Sequence, residues 1–571
     1  MKSHPFCLEM LPLYVGNLQV TKNSRGRECD HYPLLLEFRA DSHQFSFSFK
    51  FLKMWSLHKD CKDLISDSWK DGVIGKPMFV LSTKLKRLKL KLKIWNKEVF
   101  GNIHTYVNDA ENELSNIQAQ IQSIGHTDQL MAEEKKAQSN LDEALLKQES
   151  FWQEKARIRW HMDGYRNSRY FHRLTQIKNK TKMISSIKND EELISDPQRM
   201  SDYIVNYYNC IFSSSNTVLQ DQFLVEEVIP KLIDDTTNNL LIMIPSLDEV
   251  KKVIFDLNQD GAPGPYGFGA SFFQCYWDII QQDVYEAVLE FFHTSWLPPD
   301  FNANTLVLIP KISNADRIEH YRPIALANFK LKILSKVLAD RLAAILPSII
   351  YKVQRGFVKG RNIKDCIILT SDAINVLDKK CFGGNLALKI DVSKAFDTLN
   401  LNFLFQVLQQ FGCHQTFINW ICSILHSAKI SISINGAQNG YFSCNRGVRQ
   451  GDPLSPLLFC IAEEVLSRGI GKLVDDGLVE KISASRNQLI PSHCFYADDL
   501  MVFCKEKIFG LQALKDLCTR YANCSGQHIN VNKSSIYAGG ISSSRMSHGA
   551  EVRFFCWNSP IYLSWAPYFQ R

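Results

Sequence analysis

The run Cys494-Phe495-Tyr496-Ala497-Asp498-Asp499-Leu500-Met501-Val502-Phe503 decides how the chain is read. Apolar residues lead up to two adjacent acids and resume after them. That is the pattern of two buried strands joined by a tight hairpin, with Asp498 and Asp499 near the bend. Carboxylates so placed repel each other and lose hydration. A cation with oxygen ligands, Mg²⁺ above all, relieves both. An isolated acidic pair is also what a solvated turn looks like, so the neighbouring chain has to decide.

Upstream, Leu386, Leu388 and Ile390 alternate onto one face of a strand, so Asp391 projects from the other face at the strand's end. Asp397 follows as a cap for a helix beginning near Thr398. Next come a helix face traced by Phe417, Trp420, Ile421 and Ile424, a strand with Ile430, Ile432 and Ile434, and an Asn435-Gly436 turn. Arg446-Gly-Val-Arg-Gln-Gly-Asp-Pro-Leu-Ser-Pro456 then has glycines that let backbone approach a ligand and prolines that stiffen the entry to a helix. Further upstream, the strand Thr305–Pro310 leads to Lys311 and to Tyr321-Arg322-Pro323. These are two cations able to hold a triphosphate or simply to face solvent. Past the hairpin, Gly526 to Lys533-Ser534 closes the set.

The N-terminal half is plainer. Leu81, Leu85, Leu88, Leu92, Trp95 and Val99 form a heptad stripe that resumes after Gly101 and turns at Gly125–Asp128, a helical hairpin over 80–155. Lys84, Lys86, Arg87, Lys89, Lys91, Lys93 and Lys97 give its first helix a basic face, either solvated or in contact with RNA backbone. Residues 151–173 interleave aromatics with arginines, which stack bases or merely pack. Residues 173–245 show no chemistry. The net charge of +7 over 571 residues suits a polyanion partner without establishing one. No apolar run is long enough for a bilayer, and the sixteen cysteines lack zinc spacing, so a reduced intracellular protein is expected.

Phe495-Tyr-Ala-Asp-Asp499, Arg449-Gln-Gly-Asp-Pro-Leu-Ser-Pro456, Asp391-Val-Ser-Lys-Ala-Phe-Asp397 and Gln354-Arg-Gly-Phe-Val-Lys-Gly-Arg361, in their order, resemble a reverse transcriptase of plant non-LTR (LINE-type) retrotransposons over about 261–534. The resemblance implies an α+β right-hand polymerase, with fingers and a mixed-sheet palm at 251–540 and a thumb largely missing. It implies an RNA-directed DNA polymerase in which Asp391 and Asp498 hold two Mg²⁺ (or Mn²⁺), Asp499 is a weaker ligand facing away, and Lys533 protonates pyrophosphate. Lys311 and Arg322 match the triphosphate cations. Phe396 matches the aromatic gate against a ribose 2′-hydroxyl, and Gln450 and Gly451 match the loop lining template and incoming base. RNA template, DNA primer and dNTPs are the implied partners, with no membrane, and the nucleus is the expected compartment.

Asp30-His31 resembles the closing segment of the family's endonuclease, so 1–40 is expected to be an inactive remnant, followed by a connector at 41–79. A polar linker over 156–250 carries the Arg/aromatic stretch. The tail 541–571 reads as a frameshifted remnant, because a one-base shift of chosen codons for 560–571 spells a family-like string. Tyr266 stands where the family usually has Asp, which would disturb the loop entering the fingers. The competing reading is a catalytically silent, decayed product that only binds nucleic acid. A splicing-type maturase is disfavoured because no basic intron-binding domain follows.

Overall fold

The computed structural model describes residues 18–22, 34–38, 49–156, 183–213, 222–377, 379, 384–482, 490–539 and 556–557. Asp30-His31, the Arg/aromatic stretch from 157 to 173, and the tail apart from 556–557 lie outside them. Among the described residues, no helix is long and apolar enough to cross a membrane.

An antiparallel pair, β1 (Leu18–Lys22) and β2 (Leu34–Phe38), comes first. Helices α1 (Lys59–Lys70) and α2 (Pro77–Trp95) follow. Proline at its first turn starts α2, since its missing N–H would have no partner there anyway. The stripe Leu81, Leu85, Leu88, Leu92 and Trp95 is buried, but in the main core of the molecule rather than in a hairpin. The helical hairpin is shorter than the heptads suggested. It consists of α3 (Ile103–Ile124), capped by Asn102, and α4 (Asp128–Ala156), where Leu130 N–H in the first turn donates to the Thr127 hydroxyl. A π-turn over 96–100 and a left-handed Gly101 separate it from α2.

The basic face of α2 is also different from the expectation. Lys84 pairs with Asp283 at 2.8 Å, Lys91 with Asp71 at 3.1 Å and Lys86 with Asp300 at 3.6 Å. The Arg87 guanidinium donates to the carbonyls of Ser68 and Asp71. These cations fasten α2 to its neighbours. An apolar stripe fixes which side of a helix faces inward, but the partners of its charges depend on contacts distant in sequence.

After a small hairpin, β3 (Ile187–Asn189) and β4 (Glu192–Ile194), the chain forms α5 (Pro197–Ser213), α6 (Gln222–Val228), α7 (Asp235–Ile242), α8 (Leu247–Asp256), α9 (Ala270–Cys275) and α10 (Trp277–Thr294). The first large sheet has the order β6-β5-β8-β9. It joins β5 (Ala303–Pro310), β6 (Tyr321–Ala327), β8 (Lys429–Ile434) and β9 (Ala437–Ser443), with β5 parallel to β8 and the other pairs antiparallel. Leu306, Leu308, Ile430 and Ile432 pack one side of it on Ile204, Tyr208 and Phe212 of α5.

Between β6 and β8 lie α11 (Phe329–Ile349), α12 (Ile363–Leu377), β7 (Asn385–Asp391), α13 (Ala395–Thr398), α14 (Leu401–Phe411) and α15 (Gln415–His426). Then come α16 (Ser455–Asp475), β10 (His493–Tyr496), β11 (Asp499–Lys505), α17 (Ile508–Ser525), β12 (Ser535–Gly539) and β13 (Cys556–Trp557). Their strands form the second large sheet, β10-β11-β7-β12-β13. Alternation works on both faces. Leu386, Leu388, Ile390, Leu500, Val502 and Phe495 enter the main core, while Ala387, Cys494, Met501 and Phe503 pack with Cys366 and Ala373 of α12. Full burial of each such Leu, Ile or Val contributes about 1.5–3 kcal/mol, so the centre of this sheet is a firm base for groups at its strand ends. The architecture is the mixed α+β kind expected from the sequence, with helices around two large sheets.

Candidate active site

The acids sit where β7, β10 and β11 end together. β10 stops at Tyr496. Ala497 takes a left-handed φ of +55°, Asp498 completes the bend, and β11 starts at Asp499. The register pairs Tyr496 with Asp499, and Asp499 with Asp391. Residues directly opposite in an antiparallel pair present side chains on the same face. Asp499 therefore shares a face with Asp391 instead of turning away from it. The two-face alternation behind that expectation does not run through Asp498, which belongs to the bend, where it reaches solvent although the surrounding chain crowds its carboxyl.

The three carboxylates act on one another. Burial, and then the charge of Asp391, hold the Asp498 carboxyl above the usual carboxylate range. Burial, and then Asp498 and Asp391, do the same to Asp499, against the pull of Lys389. A dication would reverse each cause, and the donor set is all oxygen, so the residues fit Mg²⁺ or Mn²⁺. Among the described residues, no three His, Cys, Asp or Glu side chains are drawn together as a ready cage. Magnesium sites that handle phosphate are completed by substrate oxygens and water, with one or two carboxylates from the protein.

Asp391 itself is held by its backbone. Its N–H donates to the buried Ser534 hydroxyl at 3.1 Å, and its carbonyl accepts from Asn530 N–H at 2.8 Å. Ser393 N–H donates to the His528 carbonyl. The stretch after Gly526 thus clamps the end of β7, a role its sequence gave no sign of.

Cations face these acids. Lys311 lies just beyond β5, and Arg322 sits exposed on β6 opposite Ile309. Lys533 is exposed in the turn before β12. Burial, then Lys533 and Arg322, press the Lys311 ammonium below its ordinary range, and both also act on Asp498. The Lys311 ammonium also donates to the Glu319 carbonyl at 2.8 Å, and the gathered cations beside the acids offer a place for a polyanion.

Phe396, on α13, is half-buried and stacks on Phe459 at 4.3 Å with planes 16° apart, which fixes its ring. The Gln450 carbonyl accepts from Ala325 N–H on β6, and its side chain donates to Asp397 at 3.3 Å. Gly451 adopts φ +107°, and a Cβ there would stand 2.9 Å from the Ala325 carbonyl oxygen, so only glycine lets this loop dock on β6. Buried Arg449 pins the same loop to Asn302 and Asp452.

Asp397 does not cap a helix. Asn400 caps α14, and Asp397 is buried inside α13, its carboxyl pushed up to about 7 by burial and drawn down by Lys394, Gln450 and Lys311. Lys394 and Tyr207 are further site residues the sequence did not single out. Lys394 is left-handed (φ +49°), and its ammonium rests 4.6 Å over the Tyr207 ring of α5. Burial, and then the charge of Glu319, raise the Tyr207 phenol in turn. The helix spanning 197–213, in a stretch that read as devoid of chemistry, therefore walls the site. Its tyrosines looked like ordinary core residues, and only folding brings one to Lys394.

At the entry loop, Tyr266 N–H donates to the Asn328 side chain, and the buried Lys330 ammonium sits 4.2 Å over the Tyr266 ring while donating to Ser82. The loop is thus tied through its backbone, while the buried Tyr266 hydroxyl has no hydrogen-bond partner among the described residues.

Residues 309–557 match the family described as reverse transcriptase (RNA-dependent DNA polymerase). That is less than half of the chain, and this region is similar to the reverse transcriptases of non-LTR retrotransposons. Among relatives, the transposon TX1 149 kDa protein of Xenopus laevis is 27% identical over 78% of this chain and 34% of its own length. The Pol polyprotein of the type-2 retrotransposable element R2DM of Drosophila melanogaster is 30% identical over 42% of this chain and 21% of its own length. This chain thus spans about a third or less of those relatives. Apo telomerase from Candida tropicalis, truncated from its C-terminal domain, aligns over 69% of this chain and 91% of its own at 16% identity, with a TM-score of 0.31. The acids, the cations and the glycine-bearing loop all lie inside the matched region 309–557, whereas Tyr207 comes from outside it.

Proposed function

We propose that the chain extends a DNA primer on an RNA template by nucleotidyl transfer from dNTPs. The observation that supports this best is the register of Asp391 against Asp499, with Asp498 on the adjoining bend and Lys311, Arg322 and Lys533 facing them. Asp391 and Asp498, with Asp499 beside them, would hold two divalent cations. When bound, such ions lower the pKa of the attacking hydroxyl and neutralise the leaving pyrophosphate.

The chain's own groups do the rest. Lys311, Arg322 and Lys394 receive the triphosphate oxygens and orient the α-phosphorus for in-line attack by the primer 3′-hydroxyl. The bond from the α-phosphorus to the bridging oxygen breaks as the new one forms, and Lys533 gives a proton to the departing pyrophosphate. Phe396, fixed by Phe459, lies where a ribose 2′-hydroxyl would meet it, which favours deoxynucleotides. Gln450 and Gly451 form the floor under the incoming base pair. The protein follows the plant LINE pattern in these motifs.

The test is extension of a DNA primer on an RNA template with dNTPs and Mg²⁺, comparing wild type with the Asp391→Asn/Asp498→Asn double variant. Extension that persists in the variant rejects the mechanism. Salt-dependent RNA binding with no extension by wild type favours the silent nucleic-acid binder instead.

A further inference from the structure

The motif Gln354–Arg361 has no role in the site described above. The structure places it behind the acidic bend. The Gln354 side chain is buried, with 1% of its surface exposed, and it reads both backbone groups of Ala497. Its Oε1 accepts from Ala497 N–H at 3.1 Å and from Gly356 N–H at 2.8 Å, and its Nε2 donates to the Ala497 carbonyl at 3.3 Å. Flanking backbone bonds continue the grip. Phe495 N–H donates to the Val353 carbonyl and Arg355 N–H to the Phe495 carbonyl. A Cβ on Gly356 would stand 2.5 Å from the Ala497 nitrogen, so the loop needs glycine to come this close. At the far end of the motif, Arg361 donates to the carbonyls of Tyr351, Gln354 and Ile350, which keeps the loop folded so that Gln354 stays aimed.

Ala497 is the residue that requires a holder. Its left-handed backbone is disfavoured for any residue with a Cβ, and such strain persists only where surrounding contacts impose it. It is also the hinge that decides where Asp498 and Asp499 stand relative to Asp391.

We infer that Gln354 is a positioning residue that holds Ala497 in its strained conformation and thereby sets the spacing of the catalytic acids. This rests on the polymerase reading, but the geometry can be tested without it. Gln354→Met keeps the volume and removes all three side-chain hydrogen bonds. In the full chain, amide hydrogen exchange of the segment 493–499 should quicken at least about tenfold in Gln354→Met relative to wild type, while α2 exchanges unchanged. In primer extension, kcat should fall about 10–100-fold, the loss typical of partners that orient ligands to a metal. The dNTP KM should stay within about twofold, and the Mg²⁺ concentration for half-maximal rate should rise.

Ala497→Gly, which tolerates the left-handed conformation without strain, is the second variant. Added to Gln354→Met, it should recover thermal stability but not kcat. Unchanged exchange in Gln354→Met, or wild-type kcat and Mg²⁺ dependence in either Gln354 variant, overturns the inference. Should Gln354→Met not fold, the double variant carries the same readouts. A wild type that protects 493–499 through Gln354 yet never extends a primer leaves this inference standing and removes the polymerase reading.

Discussion

Helix α2 and the acidic bend are both dense in charge, and they treat it in opposite ways. On α2, Lys84, Lys86, Arg87 and Lys91 each meet an acid or a carbonyl of the same chain. At the bend, lost hydration and the charge of Asp391 raise Asp498, and lost hydration with the charges of Asp498 and Asp391 raises Asp499. Charge satisfied inside the fold is architecture. Charge gathered and dehydrated, crowded by like charge and only partly offset by Arg322, Lys533 and Lys389, costs stability, and such an arrangement persists where a ligand completes it.

Substitution at the acids should break this contrast most severely. Asp391→Asn or Asp498→Asn should cut single-turnover extension by more than about 100-fold, since even outer partners of metal ligands carry 10–100-fold effects. Lys91→Gln on α2 should leave the rate within about twofold and the salt dependence of RNA binding unmoved. A loss of salt slope in Lys91→Gln would return α2 to the nucleic-acid surface.

Next in size is the structural side of the comparison. Leu88 is fully buried between α2 and the main core. Leu88→Ala should destabilise by about 2–5 kcal/mol through lost burial and a cavity, read as a lower denaturation midpoint. The extension rate per folded molecule should not change. A smaller effect is expected at the gate. Phe396→Ala frees the space in front of Phe459 and should lower the preference for dNTP over rNTP about tenfold, a loss of one steric contact. An unchanged preference would remove Phe396 from that role.

The parts legible in sequence were those with local rules. Alternation gave β7 and its inward face, an apolar run broken by two acids gave β10 and β11, and Asn435-Gly436 gave the hairpin of β8 and β9. The heptad showed α2 to be a helix but not what it packs against, because a stripe marks a face without naming the neighbour. The pairing of Asp391 with Asp499 was illegible for a related reason. Where a bend ends and a strand begins shifts the register by one residue, and one residue reverses the face. Asp397 was misread as a cap because Asp is a good cap in isolation, whereas α13 buries it against Gln450 and Asn400 takes the capping position. Tyr207 and Ser534 reach the site only through folding.

The smallest prediction separates buried acid from catalytic acid. Glu463 on α16 is fully enclosed. One oxygen accepts from the Tyr521 hydroxyl at 3.2 Å, and the other has no partner. Burial, reinforced by the charges of Asp498 and Glu464 against the Tyr521 bond, pushes its carboxyl up to about 8. Below the unfolded value of about 4.3 both states are protonated and the native state is not penalised. Above it the unfolded chain ionises first, so the native state binds more protons and stability falls until the pH passes about 8. Glu463→Gln removes that dependence. Its melting temperature should exceed that of wild type by a few degrees at pH 8.5 and match it near pH 5. The neighbouring His493, pushed down to about 3 by burial, loses stability in the opposite direction, as pH falls through about 6.5. It is present in both proteins and cancels in the difference. A gain of the same size at pH 5 would mean that the glutamine improves packing, and that Glu463 carries no proton of its own at neutral pH.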